Sequence, residues 1–299
     1  MQHEVHRGGY VALVGRPNVG KSTLLNRILG QKIAITSPKP QTTRNRILGI
    51  LHRPDAQVMF LDTPGIHHAA GNKLNRYMVS QAHGAMNDVD CIMLLVEADR
   101  PVTAAEESVI RSISQSGRPA LLVINKIDRV APPALLDLIR RYSELHDFLE
   151  IVPVSALKGD GIEQLLDALL PHLPEGPPLY PEEMVTDQPE RFIVAEMIRE
   201  QVLKKLQKEI PYGTAVQIEL FEDQPERDLV EIHAVIHVER EPHKRILVGK
   251  GGSMIRSIGQ AARFDIERLL DTRVFLKLFV RVDRDWTRSD RLLREFGYE

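Results

Sequence analysis

The chain predicts two domains of different class. The first is α/β, a mostly parallel sheet with helices on both faces; the second is a smaller α+β domain. Three observations predict this. Apolar runs alternate with helix-like segments over residues 1–172, and two of those runs, CIMLLVE and ALLVIN, are apolar almost throughout, as strands buried on both faces are. Residues 171–190 then hold six prolines and a glycine, a density that no helix or central strand survives. Beyond them the order changes to helix, strand, strand, helix, helix, strand. The predicted boundaries are 1–172, a linker over 173–190, and 191–299.

In the first domain, Tyr10–Gly15 reads as a strand ending in glycine and Lys21–Leu29 as a helix. Strands follow at Ile47–His52 and Gln57–Asp62, and Asn72–Gly84 has helical composition. Cys91–Glu97 and Ala120–Asn125 are the buried strands, with a helix over Thr103–Gln115 between them. Helices at Pro133–His146 and Gly161–His172 flank a strand at Ile151–Val154. In the second, Phe192–Glu209 predicts a helix with Ile193, Met197, Val202 and Leu206 towards one side. Thr214–Phe221 and Leu229–Val238 alternate as strands do. Pro242–Val248 and Ser253–Leu270 are helices around GKGG, and Val274–Asp283 is the last strand.

Composition narrows the class. Of the 299 residues, 43% are hydrophobic and 27% charged, which excludes a disordered or fibrous chain. No apolar run approaches a membrane span, and the start MQHEVHRGGYVALVG lacks the pattern of a secretory signal. A single cysteine, Cys91, precludes an internal disulfide; in its buried strand it reads as core. The net charge of −2 conceals an asymmetry: residues 180–239 carry 6 basic and 14 acidic side chains, and residues 240–299 carry 14 and 9. The basic end fits a polyanionic partner.

Gly15-Arg16-Pro17-Asn18-Val19-Gly20-Lys21-Ser22-Thr23 follows a strand and opens a helix. It fits G-x-x-x-x-G-K-[ST], a loop whose N–H groups wrap polyphosphate oxygens; Lys21 then reaches the terminal phosphates and Ser22 ligates Mg²⁺. Asp62-Thr63-Pro64-Gly65 ends a strand, where a carboxylate can hold Mg²⁺ through water and the Gly65 N–H can sense a γ-phosphate. Asn125-Lys126-Ile127-Asp128 follows a buried strand. Guanine presents two adjacent donors that one carboxylate, Asp128, can accept; adenine would leave it unpaired. Asn125 can bridge loop and base, and the Lys126 stem can cover the ring. Ser155-Ala156-Leu157 offers a backbone N–H to the guanine oxygen.

With these four motifs in this order, residues 1–172 resemble a P-loop GTPase domain of the translation-factor-related class. The resemblance implies GTP and GDP as ligands and Mg²⁺ as the metal. It makes Gln41-Thr42-Thr43-Arg44 the first switch, with one threonine on Mg²⁺ in the GTP state; Thr43, beside the arginine, is favoured over Thr42. Lys21, Thr43, Gly65 and Asn18 are then the candidate catalytic residues. Ile66 stands where the best-known small GTPases place a glutamine that orients water, so intrinsic turnover should be slow. In related GTPases an asparagine at the Asn18 position helps bind K⁺. His67 and His68 are expected as exposed switch residues.

Gly249-Lys250-Gly251-Gly252 sits between two helices, and the element order is that of a KH domain of type II, α-β-β-α-α-β. Such a loop clamps single-stranded nucleic-acid backbone. Lys244, Lys250, Arg256 and Arg263 are candidate RNA contacts. Gly251 departs from the family pattern, which usually has a second polar or basic residue there. Arg284, Arg288, Arg291 and Arg294 form a basic tail; Trp286 and Phe296 either stack on bases or pack the terminus. His233 and His237 alternate on a strand with no further metal-ligand partner evident nearby.

A GTPase domain followed by a KH domain resembles the Era family, bacterial GTPases of small-subunit ribosome assembly. That resemblance implies binding of the 3′ end region of 16S rRNA during 30S maturation, favoured in the GTP state, with no DNA partner. It implies a cytoplasmic monomer with peripheral inner-membrane contact. Two rivals are a metabolic phosphotransferase, which leaves NKID and the KH-like half unexplained, and a binding module in which nucleotide only stabilises the fold.

Overall fold

The computed structural model describes residues 6–66 and 72–298, which form two compact units. Of these residues, the first unit takes 6–34, 43–66 and 78–187; the second takes 35–42, 72–77 and 188–298. His67 and His68 lie outside the described residues.

The first unit is a six-stranded sheet in the order β2-β3-β1-β4-β5-β6. Its strands are β1 (Arg7–Gly15), β2 (Ile47–Arg53), β3 (Ala56–Asp62), β4 (Cys91–Glu97), β5 (Ala120–Asn125) and β6 (Ile151–Pro153). Only the β2–β3 pair is antiparallel. The helices are α1 (Lys21–Leu29), α2 (Lys73–Gly84, of which this unit takes residues 78–84), α3 (Ala104–Ser116), α4 (Pro132–Ser143) and α5 (Ile162–Leu169). Leu48 and Ile50 of β2 share a core with Val109, Ile110 and Ile113 of α3 and with Leu138 and Tyr142 of α4. Gly49 faces the other way: a Cβ there would fall 2.7 Å from Leu25 and Leu29. The alternation along β2 thus puts α1 on one face and α3 and α4 on the other. Cys91 is wholly buried, and burial pushes its thiol up to about 12, as befits a core residue.

The proline-rich segment belongs to the first unit up to residue 187 and is not a free tether. The Pro174 carbonyl accepts from Gly8 N–H and the Val185 carbonyl from Ile50 N–H. The buried Gln57 side chain accepts from Leu179 and Tyr180 N–H and donates to the Tyr180 carbonyl. Proline density rules out regular structure but leaves carbonyls free to accept, and β1 and β2 use them.

The second unit has a three-stranded sheet, β7 (Thr214–Gln224), β8 (Leu229–Val238) and β9 (Arg273–Val282), with β8 central. Helices α6 (Glu190–Lys205), α7 (Glu241–Val248) and α8 (Ser253–Leu270) accompany it. Val230, Ile232, Ala234, Ile236 and Val238 of β8 meet Ile258, Ala262 and Ile266 of α8 in the core. Two expectations change here, and one open alternative is decided. Helix α6 ends at Lys205, four residues short of Glu209, because Leu206 turns extended and its carbonyl is taken by the Lys39 ammonium. Over residues 197–203 it is buried all round, Arg199 and Glu200 included, and not on one side only. Trp286 cannot stack on bases, for it is fully buried, donates to the Gly213 carbonyl (2.9 Å) and stacks on Tyr298. The basic tail carries a further helix, α9 (Asp290–Glu295), capped by Ser289.

Candidate functional site

The parallel strands β1, β3 and β5 end at Gly15, Asp62 and Asn125, so three of the motifs lie at the same edge of the sheet. The loop Gly15–Gly20 runs into α1, whose first residues are Lys21, Ser22 and Thr23. Lys21, 6% exposed, donates to the carbonyls of Gly15 (3.2 Å) and Arg16 (3.1 Å). Burial lowers its pKa to about 8, against the pull of Asp62. Asp62 is wholly buried, and burial raises its carboxyl despite Lys21, Ser22 and Thr43.

Three residues read as metal ligands converge. The Ser22 hydroxyl donates to Asp62 Oδ2 (2.5 Å) and lies 2.8 Å from the Thr43 hydroxyl. Thr43 is itself 3.3 Å from Asp62 Oδ2. Asp62 Oδ1 is buried with no partner among the described residues. Two hydroxyls around a carboxylate with an unspent oxygen are hard oxygen donors that fit Mg²⁺. The Thr42 hydroxyl is occupied elsewhere, donating to the Lys39 carbonyl (2.7 Å).

Gly65 closes the mouth of the loop. A Cβ there would stand 2.5 Å from Pro17 N, so only glycine allows this approach, and Ile66 N–H donates to the Gly15 carbonyl (3.1 Å). The Ile66 side chain packs on the apolar cluster of the sheet. Asn18 is exposed, in the left-handed region at φ 67°, and its carbonyl accepts from Lys126 Nζ (2.8 Å).

The base-reading loops are cross-tied. Asn125, 2% exposed, donates to the Val19 carbonyl (2.8 Å) and accepts from Lys126 N–H (2.8 Å) and Ala156 N–H (3.0 Å). It therefore joins the phosphate loop to the Ser155–Leu157 loop. Asp128 is exposed and accepts from the Ser155 hydroxyl (2.6 Å), the bond that chiefly holds its carboxyl below the usual range. The sequence points to Ser155 only for its loop's backbone donors; in the fold its hydroxyl aims Asp128. Two further residues carry no signal in the sequence. Arg27 donates to the carbonyls of Ala156 (3.1 Å) and Leu157 (2.5 Å), and Glu97 holds the Lys126 ammonium. Each is an ordinary charged residue until the fold puts it beside a motif.

In the second unit, Gly249 ends α7, and Lys250–Gly252 is a single tight turn before α8. Lys250 and Gly251 are exposed, and Arg256 donates to the Gly251 carbonyl (2.6 Å). Arg263 lies 3.8 Å from Glu267 one turn on, so its charge is partly answered within α8. Lys244 lines a groove with Phe279 and Arg281 of β9. Strand β9 adds a surface that the motifs do not announce: Arg273, Phe275, Lys277, Phe279 and Arg281 alternate onto one exposed face. Among the described residues no His, Cys, Asp or Glu cluster could hold a metal. His237 is buried against Asp283 (2.7 Å) and Phe296.

Comparison with known proteins agrees with this geometry. Residues 10–126 match the family described as 50S ribosome-binding GTPase, and residues 209–287 match the KH domain. The chain is 54% identical over 299 residues to GTPase Era of Geotalea uraniireducens, covering all of both chains. It is 48% identical to GTPase Era of Ruminiclostridium cellulolyticum over 98% of each. Among solved structures it is similar to Era in complex with MgGDPNP and nucleotides 1506–1542 of 16S ribosomal RNA, with 40% identity, a TM-score of 0.94, and coverage of 98% of this chain and 99% of that one. A variant of Aquifex aeolicus Era bound to GDP·AlF4⁻ gives the same values. Identity at this level over full length, joined to the two domains in this order, means that the chain belongs to the Era family of GTPases.

Proposed function

We propose that this GTPase is a switch that binds the 3′ end region of 16S rRNA and acts in 30S subunit maturation, with RNA binding favoured by GTP. The observation that carries the reading is the presence in one chain of a guanine-reading pair, Asn125 and Asp128, beside a phosphate loop, and of a glycine-rich turn between two helices of a KH fold. The relative bound to MgGDPNP and 16S rRNA supports the same ligands here.

In this reading the loop Gly15–Gly20 and Lys21 hold the phosphates, while Ser22 and Thr43 ligate Mg²⁺ and Asp62 reaches it through water. Bound there, Mg²⁺ would help neutralise the phosphate charge. Gly65 N–H meets the γ-phosphate. Asp128, aimed by Ser155, accepts the two guanine donors, and Ala156 or Leu157 N–H meets the base oxygen. Ile66 offers no hydrogen bond to a water, so turnover is slow until a partner or ion supplies charge; Asn18 is the candidate K⁺ ligand. The family resemblance also makes the protein a cytoplasmic monomer with peripheral membrane contact; no helix among the described residues is long and apolar enough to cross a membrane.

The test is binding of a single-stranded RNA matching the 16S 3′ end, at fixed salt, with GTP analogue, GDP and no nucleotide. It includes a Gly251→Asp, Gly252→Asp variant. Both glycines lie at positive φ, 58° and 78°, with no neighbour nearer than 4.0 Å to where a Cβ would stand, and aspartate tolerates that region, so the variant should fold. Two carboxylates at the clamp should cost roughly tenfold or more in RNA affinity. Equal affinity in all nucleotide states would discard the switch, and no binding would discard the RNA reading. Hydrolysis compared in K⁺ and Na⁺ tests Asn18: equal rates would remove that role.

A further inference from the structure

We infer that Arg199 of α6 is a positioning residue for GTP hydrolysis, holding the backbone that presents Thr43 to Mg²⁺. This rests on the reading of Thr43 as a metal ligand. The second unit contains residues 35–42 together with α6, and polar bonds join the two. The Arg199 guanidinium, fully buried, is gripped by Glu196 one turn back, Nε to Oε1 at 2.7 Å and Nη2 to Oε2 at 2.5 Å. Its Nη2 also donates to the Thr42 carbonyl. That carbonyl belongs to the peptide joining Thr42 to Thr43, a plane that moves as one body. The Thr43 hydroxyl on its far side is the one beside Ser22 and Asp62.

The neighbours of this contact fix the same stretch. Thr36 N–H donates to Glu200 Oε1 (2.8 Å), and the Lys39 ammonium donates to the Leu203 and Leu206 carbonyls at the C-terminus of α6. Helix α6 is in turn held to α8 by Lys205 on the Ser257 hydroxyl (2.9 Å) and by Gln201 on Asp265 (3.3 Å). An unpaired buried donor is costly, and Arg199 carries one: Nη1 is buried with no partner among the described residues. Its grip is concentrated on Glu196 and one switch carbonyl.

The experiment follows single-turnover GTP hydrolysis by the full chain across a Mg²⁺ titration, with GDP affinity measured alongside. Arg199→Met keeps much of the stem and removes the donors. It should slow hydrolysis about tenfold and raise the Mg²⁺ needed for half-maximal rate about tenfold, the loss of one charge-assisted hydrogen bond. GDP affinity should stay within about twofold, because the first switch answers to the γ-phosphate. Arg199→Lys should restore most of the rate. Glu196→Gln, which loosens the guanidinium without removing it, should shift Mg²⁺ dependence the same way but less, and decides the matter if Arg199→Met does not fold. Unchanged Mg²⁺ dependence in these variants, or a parallel loss of GDP affinity, overturns the positioning role. Thr43→Ala separates the two readings: if it too leaves Mg²⁺ dependence unchanged, the metal-ligand reading fails and this inference with it.

Discussion

The nucleotide site and the glycine turn of the KH unit are built on opposite plans. In the first, Lys21, Ser22, Thr43, Asp62 and Asn125 are all 9% exposed or less; Lys21 is held by carbonyls of its own loop and the others by bonds to another motif. In the second, Lys250 and Gly251 are exposed, and the turn is tied within itself, by Gly252 N–H on the Gly249 carbonyl (3.1 Å) and by the Arg256 side chain on the Gly251 carbonyl. A polyphosphate is small and densely charged, so a preorganised, water-poor cradle gains most from it. A single strand of RNA is long, and its affinity is spread over many weak phosphate and base contacts. Damage should therefore be steep and local in one region, shallow and distributed in the other.

The steepest loss expected is at Lys21. Lys21→Ala removes the cation whose charge acts on the buried Asp62 and, in the proposed reading, the side chain that meets the phosphates. GTP and GDP binding, read by a fluorescent analogue, should fall by about two orders of magnitude, the loss of about 3 kcal/mol of charge-assisted contact. The wild-type pH profile sharpens this. Because burial lowers Lys21 from 10.5 to about 8, its contribution to the empty protein's stability is present above about 10.5 and lost as pH falls through about 8. Nucleotide runs the other way, since phosphates need the ammonium. Affinity should fall as pH rises past about 8, by up to tenfold per unit. A flat profile to about pH 9.5 would break the picture of a buried, proton-poor lysine.

Asp128→Asn comes next. The site keeps its shape, since Ser155 can donate to an amide oxygen, but an amide cannot accept both guanine donors. GTP affinity should drop on the order of a hundredfold, and a base with a carbonyl in place of the guanine amino group should gain. Unaltered guanine preference in competition binding would show that this exposed carboxylate does not read the base.

The two plans also explain what is legible in the sequence. Lys21, Ser22, Asp62, Asn125 and Asp128 declare themselves because each needs a fixed residue type at a fixed spacing from a strand end. Most strands are legible too, for buried parallel strands must be apolar throughout. Arg27, Glu97 and Arg199 are not legible: their roles arise from partners 129, 29 and 157 positions away, a separation no local pattern encodes. Helix α6 shows the same limit. Its polar residues look like a solvent face, yet Arg199 and Glu200 are buried because a remote segment brings acceptors and donors to them. The proline-rich stretch lacks any periodicity to read, and its order comes from the strands β1, β2 and β3 that it is bonded to.

The smallest effect expected is at Lys250. Its ammonium is exposed, so little is lost from the folded protein when it is removed, and neighbouring Arg256 remains to meet the same strand. Lys250→Ala should weaken RNA binding about three- to tenfold at low salt, by much the same factor for every RNA sequence. The informative quantity is the salt dependence. One phosphate contact fewer should reduce the slope of log affinity against log salt by about 0.7, the single-strand value per charge. If the slope were unchanged while affinity fell, Lys250 would be shaping the turn and not meeting a phosphate. If affinity collapsed as it does at Lys21, the KH loop would be a built site after all, and the contrast between the two regions would be wrong.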